Sequence, residues 1–364
     1  MGESATDYLD QQLSIACLGV VGDCMELTGE NRILVREGLK RLAAGKNPGL
    51  TELLKEAGIN PATIDSGTIG FQIGPRINAA GRLDTPQHAF DLLMGDCSKA
   101  KVLNELNEAR RELTTQYFDE ACERIDTMNS RPTIIALKST EWKAGLVGLL
   151  AGKLTEKYGR PTIIMHQIDS HVVGSMRSLN SFDITAAVRE CAGDLFTTFG
   201  GHAMAGGFTL PAENYDEFIR RLNDYSQKNL DPSAFQETLS IDCEIQAHEV
   251  SLETVGKLTL LEPFGVANKQ PMVMIKGARI TDLRVVGKTQ EHAQIPVDLN
   301  GRQLSSIAFF FARYLDQINL NIPHDLVVNL EENEWNGQKK VQLKIIDLRP
   351  SGAGKLTLIR INKN

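Results

Sequence analysis

The stretch "FGGHAMAGGFTL", residues 199–210, decides how the middle of this chain is interpreted. It places His202 directly after Gly200 and Gly201, in a chain that has only seven histidines. Consecutive glycines lose backbone entropy on folding and give a core no side chain to pack. We therefore expect something to approach the backbone closely at the two glycines, with His202 facing it. A structural histidine is the competing interpretation.

A second motif lies upstream, in "VGSMRSLNSFD" at residues 173–183. Ser175 and Arg177 are two residues apart, so a strand at this point puts both side chains on one face. A hydroxyl beside a guanidinium can bind a phosphate, because the guanidinium contacts two oxygens at once. Backbone N–H groups at the glycines would add donors, and His202 a donor or a proton. The alternative is a solvated strand end.

The motif "GPRINAAGR", residues 74–82, is a third candidate for anion binding. Arg76 and Arg82 are six residues apart, so they do not share one helical face. A turn at Gly74-Pro75 followed by a helix start would still let both arginines reach one anion path. A capped helix with solvated arginines is the alternative interpretation.

Around these motifs, the sequence predicts an α/β fold followed by an all-β part. The apolar run at 13–27 predicts a buried strand that ends near Asp23, at the edge of a sheet whose other strands are missing. A helix follows Thr28. Because a buried carboxylate needs a cation or hydrogen-bond donors, Asp23 is a candidate metal ligand.

Further along, apolar spacings of three and four predict one long helix from Ser98 to about Met128, long enough to bridge two domains. Residues 132–138 then open a β/α unit whose helix ends near Gly159. After about residue 235 the chain consists of short β-rich runs separated by Gly, Asn and Lys. This texture predicts a small antiparallel barrel or a sandwich.

Composition limits the remaining possibilities. A chain of 364 residues suits two or three domains, and its net charge of −7 does not by itself indicate a nucleic-acid binder. The six cysteines are scattered without zinc spacing, and the first residues have no secretion pattern. No apolar run reaches the length of a membrane span. We expect a cytoplasmic protein without a membrane partner.

Taken together and in this order, six segments resemble the RecJ family of the DHH phosphoesterase superfamily, whose members are single-strand-specific 5′→3′ DNA exonucleases of DNA repair and recombination. The segments are "LGVVGDCMELTGENRILVREGLKRL", "GPRINAAGRLDTP", "WKAGLVGLLAGKLTEKYGRP", "GSMRS", "FGGHAMAGGF" and "NEWNGQKKVQLKIIDLRP". The resemblance implies four parts: a DHH-domain remnant at 1–45, a helical connector at 46–130, a DHH-associated α/β domain at 131–230 and an OB-fold-like β-barrel at 235–364.

The resemblance also implies roles for individual residues. Asp23 corresponds to the last metal-binding aspartate, for Mn²⁺ or Mg²⁺. Phosphate would be held by Ser175, Arg177, Gly200, Gly201 and His202, of which His202 is also the catalytic candidate. The DNA path would be lined by Arg76, Asn78 and Arg82. Lys143 stands where family members often have a histidine, so the resemblance assigns no role to that position.

The family's other metal-binding motifs, Asp-x-Asp and Asp-His-His, do not occur in the sequence. We therefore expect a truncated enzyme or one half of a split enzyme, inactive alone, that binds single-stranded DNA. Its further partners would be the missing DHH catalytic half or a single-strand-binding protein. A non-catalytic module that binds single strands or nucleotides is the alternative. A nuclease for short RNA or cyclic dinucleotides fits less well, because smaller relatives lack the C-terminal β domain.

Overall fold

The computed structural model describes residues 5–130, 132–230, 235, 239–287, 290–335 and 337–352. Within them the α-helices are α1 Ala5–Gly22, α2 Gly29–Ala43, α3 Pro48–Glu56, α4 Ser66–Thr68, α5 Gly74–Leu83, α6 Gln87–Leu93, α7 Lys99–Asp126, α8 Val147–Tyr158, α9 Ile184–Ala192, α10 Tyr215–Asn229 and α11 Leu252–Thr259. The 3₁₀ helices are Pro61–Thr63, Gly193–Leu195, Ala212–Asn214, Ala247–Glu249 and Ala312–Gln317, and a π-helix spans Ile69–Ile73.

The strands follow the same chain order. They are β1 Ile135–Ser139, β2 Thr162–Ile168, β3 His171–Arg177, β4 Thr198–His202, β5 Ala205–Pro211, β6 Cys243–Glu244, β7 Val273–Ile280, β8 Arg284–Val286, β9 His292–Gln294, β10 Val297–Leu299, β11 Arg302–Ala308, β12 His324–Trp335 and β13 Gln338–Pro350. They form two sheets, one in the middle of the chain and one in its C-terminal part.

The first segment, α1, is a helix, so the strand predicted over 13–27 is wrong. Its buried positions Ser14, Cys17 and Leu18 have helical spacing, while Ala16 and Gly19 are exposed. The helix packs on α2 at Gly38, where a Cβ would lie only 2.4 Å from the Cβ of Cys17. An apolar run of this length fits a strand or a helix equally well, and the polar residues before it extend the helical pattern instead of ending it.

The next two helical predictions are confirmed. Helix α2 follows Thr28, and α7 runs for 28 residues, about 42 Å at 1.5 Å per residue. Leu103 of α7 belongs to the apolar core formed by α1–α6, whereas Ile125 belongs to the core beneath α8. Helix α7 therefore joins the N-terminal helical part to the middle of the chain.

The middle sheet has the strand order β1-β2-β3-β5-β4. Strands β1 and β2 are parallel and connected through α8, which ends at Gly159 with φ 60°, as predicted. The other pairs are antiparallel. Helix α8 covers one face of the sheet, and α9 and α10 pack against the other. Strand β4 is one edge of this sheet, and β1 is the other.

The C-terminal part is a closed barrel in which β10, β7, β12, β13 and β11 pair in sequence and β11 returns to β10. This selects the barrel over the sandwich, but the barrel is not antiparallel throughout as predicted, because β11 and β13 pair in parallel. The segment before β7 holds the barrel against the helical part: the amide of Leu27 donates to Val266 O at 2.7 Å, and the Ser66 hydroxyl donates to Phe264 O. Of the helices in the described ranges, none is long and apolar enough to cross a membrane.

Candidate functional site

The register of the middle sheet brings the predicted phosphate residues onto one face. Ser175 on β3 lies opposite Gly207 on β5, which lies opposite Gly200 on β4. In the next row on the same side, Ala205 lies between Arg177 and His202. Directly paired residues of an antiparallel sheet point to the same side. Ser175, Arg177 and His202 therefore share a face that has only glycine and alanine between them.

Gly200 and Gly201 are adjacent in one strand, so their Cβ positions point to opposite sides of this sheet. A Cβ at Gly200 would meet nothing within 4 Å. At Gly201, where φ is 150°, it would lie 2.4 Å from Gly206 Cα and 2.5 Å from Ala205 O. The close approach predicted at both glycines is thus found at Gly201, and there the approaching group is the chain's own hairpin. Both glycines belong to strand β4, not to a turn.

Helix α8 begins directly above the Ser175–Arg177 pair. A Cβ at Gly148, in its first turn, would lie 3.0 Å from Arg177 Nη2 and 3.1 Å from Ser175 Oγ. Arg177 Nη1 donates to Ser175 Oγ at 3.0 Å and to Met176 O at 2.7 Å. The guanidinium is held in place, and its Nη2 side faces the helix start, where backbone N–H groups lack intrahelical acceptors.

Helix α5 brings a second arginine to this pair. Arg82 Nη1 donates to Gly145 O at 3.0 Å, and a Cβ at Gly145 would lie 2.3 Å from Arg82 O. Burial lowers the pKa of Arg177, and the positive charge of Arg82 lowers it further. Neither arginine forms an ion pair within the described ranges, so the positive charges here are not neutralised by nearby carboxylates.

The three residues of the "GPRINAAGR" motif that were predicted to line one DNA path do not all lie in one place. Asn78 and Arg82, four residues apart, both line a cleft of about 420 Å³ between α5, α7 and the loop after α1. Arg76 instead donates from Nε to Asn104 Oδ1 at 2.9 Å, toward α7. The predicted turn at Gly74-Pro75 is absent, since the π-helix runs directly into α5.

Arg110 of α7 lines the same cleft, and sequence analysis did not single it out. It belongs to an Arg110-Arg111 pair in the middle of a long amphipathic helix, where charged residues are ordinarily solvated. The signal available in the sequence was its spacing: Arg110 lies four residues after Leu106 and three before Leu113, both on the apolar face of the predicted helix.

Asp23 does not fit the argument from which it was predicted. It is exposed and follows helix α1, whereas a buried position at a strand end was expected. Among the described residues, no three His, Cys, Asp or Glu side chains lie close enough together to hold a metal ion. The side chains in this part of the chain therefore do not by themselves fit a two-metal centre.

The aromatic residues of the C-terminal part that could stack on bases differ in their exposure. Phe309 and Phe310 are 46% and 58% exposed, beside His292 at the end of β11, with Lys344 Nζ 5.7 Å from the Phe309 ring centroid. Phe311 and Tyr314 are buried in the barrel core, which makes them structural. The Trp335 side chain lies outside what the structure describes.

Two protein-family models match the chain: the DHHA1 domain over residues 131–228 and the RecJ OB domain over residues 241–347. The chain is 31% identical over 345 residues to the single-stranded-DNA-specific exonuclease RecJ of Bacillus subtilis, covering 93% of this chain and 44% of that protein. It is 33% identical over 362 residues to the protein of the same name from Dickeya dadantii, covering 95% and 62%. The chain thus spans about half the length of these curated relatives.

Two solved structures of RecJ also superpose on most of the chain. A crystal structure of RecJ from Thermus thermophilus in complex with Mn²⁺ superposes with a TM-score of 0.78 at 27% identity, covering 94% of this chain and 50% of that one. A second structure of the Thermus protein contains Mg²⁺ and also gives a TM-score of 0.78.

Proposed function

We propose that this chain, which matches the DHHA1 and RecJ OB domain models and is similar to RecJ exonucleases, holds single-stranded DNA for 5′→3′ exonucleolytic cleavage in DNA repair and recombination, acting in the cytoplasm. The observation that carries this proposal is the open face on which Ser175, Arg177 and His202 lie together.

Each part of the chain has a share in this function. We assign residues 1–45 to the DHH domain, 46–130 to the connector, 131–230 to the part that holds the DNA 5′ end and 235–364 to the part that binds the single strand through its barrel. Asn78 and Arg82 line the strand's path in the cleft, and Arg76 supports that path from the α7 side. The exposed Phe309 and Phe310 offer ring faces on which bases can stack.

A terminal phosphate monoester carries nearly two negative charges. Arg177 contacts two of its oxygens, and the Ser175 hydroxyl and the backbone N–H group at Gly200 complete the ligand shell, whereas Gly201 packs against its own hairpin. His202, exposed at the sheet edge, donates a hydrogen bond or transfers a proton to the departing nucleotide. Because only the methyl group of Ala205 lies between His202 and Arg177 on this face, a phosphate can lie close against the sheet.

Mn²⁺ or Mg²⁺ supplies the activation of water in enzymes of this kind. Asp23 is the single metal ligand that we assign to this chain, and the described residues offer no group around it. Cleavage accordingly depends on a DHH catalytic part with the remaining ligands, and that part is the first partner we propose. A single-strand-binding protein is the second.

Binding to matched single-stranded and duplex DNA tests the proposal. We expect the chain to bind a 5′-phosphorylated single strand more tightly than the blunt duplex of the same sequence, with affinity that falls as salt rises. Fluorescence anisotropy over a salt series measures both. Equal affinity for the two forms, or no binding at low salt, contradicts the proposal.

A non-catalytic module that binds single strands or nucleotides is the second candidate, favoured by the lack of a metal-binding group among the described residues. The two candidates differ in what happens once the catalytic part is added. We expect no release of 5′-nucleotides by this chain alone with Mn²⁺. Release that Asp23→Ala abolishes would show that these residues suffice for catalysis, and no release after the DHH part is supplied would favour the module.

A further inference from the structure

The segment after β11 presents its phenylalanines in an order that strand alternation does not give. Ala308 and Phe311 lie in the barrel core, whereas Phe309 and Phe310 between them are both exposed. In an extended strand, neighbouring side chains point to opposite faces, so one of the two would point inward. Phe310 breaks the alternation because its φ is 60°. Two adjacent aromatic side chains are therefore presented to solvent together.

The backbone conformation of Phe310 is unfavourable for its residue type. In the left-handed region, Cβ lies too close to the following carbonyl oxygen. Glycine, asparagine and aspartate tolerate this region, and a bulky residue there is an outlier. Such a conformation persists only where the surrounding structure holds it, and it is found most often at functional sites. A contact that holds Phe310 is therefore required.

His292 on β9 supplies that contact. The backbone N–H of Phe310 donates to His292 Nδ1 at 3.2 Å. Because a backbone N–H can only donate, Nδ1 carries no proton and the imidazole is neutral. The imidazole also packs edge-on against both phenylalanines, with its centroid 5.2 Å from that of Phe309 and 4.9 Å from that of Phe310. One side chain thus holds the backbone of Phe310 and contacts both exposed rings.

His292 is held in place by its own neighbours. It pairs with Val286 of β8, and a Cβ at Gly287, where φ is 92°, would lie 3.1 Å from His292 Cδ2. The amide of Ala312 donates to the carbonyl oxygen of Glu291, the residue before His292, at 3.1 Å. The chain on both sides of the exposed phenylalanines is therefore connected to the strand that carries the histidine.

We infer that His292 is a positioning residue: its neutral imidazole holds Phe310 at a positive φ and so keeps Phe309 and Phe310 together as a platform on which bases of a single strand stack. The inference rests on the proposed function, which takes single-stranded DNA as the ligand. Lys344 Nζ, 5.7 Å from the Phe309 ring centroid, adds a cation beside this platform. Exposed rings beside a cation suit a base with its phosphate. His292 acts through Phe310 and does not itself contact the strand.

Two substitutions separate the acceptor of His292 from its ring. His292→Phe keeps an aromatic ring and removes the acceptor. His292→Asn removes the ring and keeps an acceptor, because the asparagine Oδ1 is as many bonds from the backbone as Nδ1. The probe is a 5′-phosphorylated oligothymidylate of about twenty nucleotides, longer than the site of one OB-fold. We expect His292→Phe to weaken its binding about five- to tenfold, and His292→Asn to retain most of the wild-type affinity.

Leu320→Ala is the matched control, because it removes an apolar side chain of similar exposure, 45%, from the same part of the chain. We expect it to weaken binding less than about twofold. Thermal melting shows whether each variant is folded. If His292→Phe melts far below the wild type, His292→Leu replaces it, since leucine is smaller and also lacks the acceptor.

A single abasic site moved along the probe gives a result that a damaged barrel cannot reproduce. Removing the base that stacks on the platform should weaken binding by the wild type. At that position His292→Phe should cost little further, and Phe309→Ala should cost little further at the same position. A substitution that only destabilises the barrel would lose the same affinity wherever the abasic site lies.

Three outcomes overturn the inference: wild-type affinity in His292→Phe, an equal loss in His292→Phe and His292→Asn, or a loss in His292→Phe that is the same at every abasic position. In each case an intact preference for a 5′ phosphate over a 5′ hydroxyl leaves the proposed function standing. If the wild-type chain binds no single strand at all, the proposed function and this inference fail together.

Discussion

Gly200 and Gly201 are neighbours in one strand, yet their surroundings are opposite. The Cβ position of Gly200 opens into empty space on the face that carries Ser175, Arg177 and His202. That of Gly201 points into backbone, at a φ of 150° that L side chains rarely adopt. The fold requires glycine at 201 and does not require it at 200. Adjacent glycines in a motif can therefore differ in cause: the fold requires Gly201, whereas Gly200 leaves open the surface on which we propose that the phosphate binds.

The largest expected effect is on stability, from Gly201→Ala. The added methyl group would overlap Gly206 Cα and Ala205 O at a disfavoured φ. Together these costs should lower the free energy of unfolding by about 3–5 kcal/mol. Chemical denaturation of both proteins measures the difference. Gly200→Ala is the control, and we expect it to change stability by less than about 1 kcal/mol. Equal losses in the two variants would erase the distinction between the glycines.

A smaller stability effect is expected at Asp347 on β13 of the barrel. This residue lies outside the middle sheet that contains Gly200 and Gly201. Burial raises the pKa of this carboxyl from 3.8 to about 6. Between these values the folded chain binds more protons than the unfolded chain, so stability should fall as pH rises from about 4 to 6 and then level off. Asp347→Asn should remove that slope and stabilise the chain at pH 7 by about 1–3 kcal/mol.

Hydrogen exchange of β13 amides across this pH range measures the effect locally, which avoids assuming that several domains unfold together. Unchanged exchange in Asp347→Asn would show that the carboxyl is not desolvated.

At Gly200 the expected effect is on binding. A methyl group there would occupy the surface on which we place the phosphate, so Gly200→Ala should weaken binding of a 5′-phosphorylated strand about tenfold while leaving the 5′-hydroxyl strand unaffected. Titration of both strands against wild type and variant measures this. If the variant binds both strands as the wild type does, the phosphate does not bind on the open face at Gly200.

His202→Ala is expected to have the smallest effect, about two- to fivefold on the same titration, because one exposed hydrogen bond contributes about 0.5–1.5 kcal/mol. A loss as large as that from an Arg177 variant would make the imidazole the principal phosphate ligand.

Local patterns in the sequence predicted much of this site. The two-residue spacing of Ser175 and Arg177 correctly placed them on one strand face, because strand alternation depends only on the chain itself. The strand predicted over 13–27 is wrong, since residues 13–22 belong to α1, whose burial is set by packing against Gly38 of α2. Arg110 was missed because only the approach of α5 and the barrel loop makes its cleft. Closure of the barrel depends on the pairing of β10 with β11, and the texture of short strands does not specify such pairing.

The ratio of affinities for a 5′-phosphorylated strand and its 5′-hydroxyl counterpart tests most directly whether a terminal phosphate binds at Arg177. We expect the wild-type chain to prefer the phosphorylated strand about ten- to hundredfold, because a charge-assisted contact of this kind contributes about 1.5–3 kcal/mol. Arg177→Ala should reduce the ratio to about one, and Arg177→Lys should restore little of it. If the wild type prefers the phosphorylated strand and Arg177→Ala keeps that preference unchanged, the phosphate does not bind at Arg177.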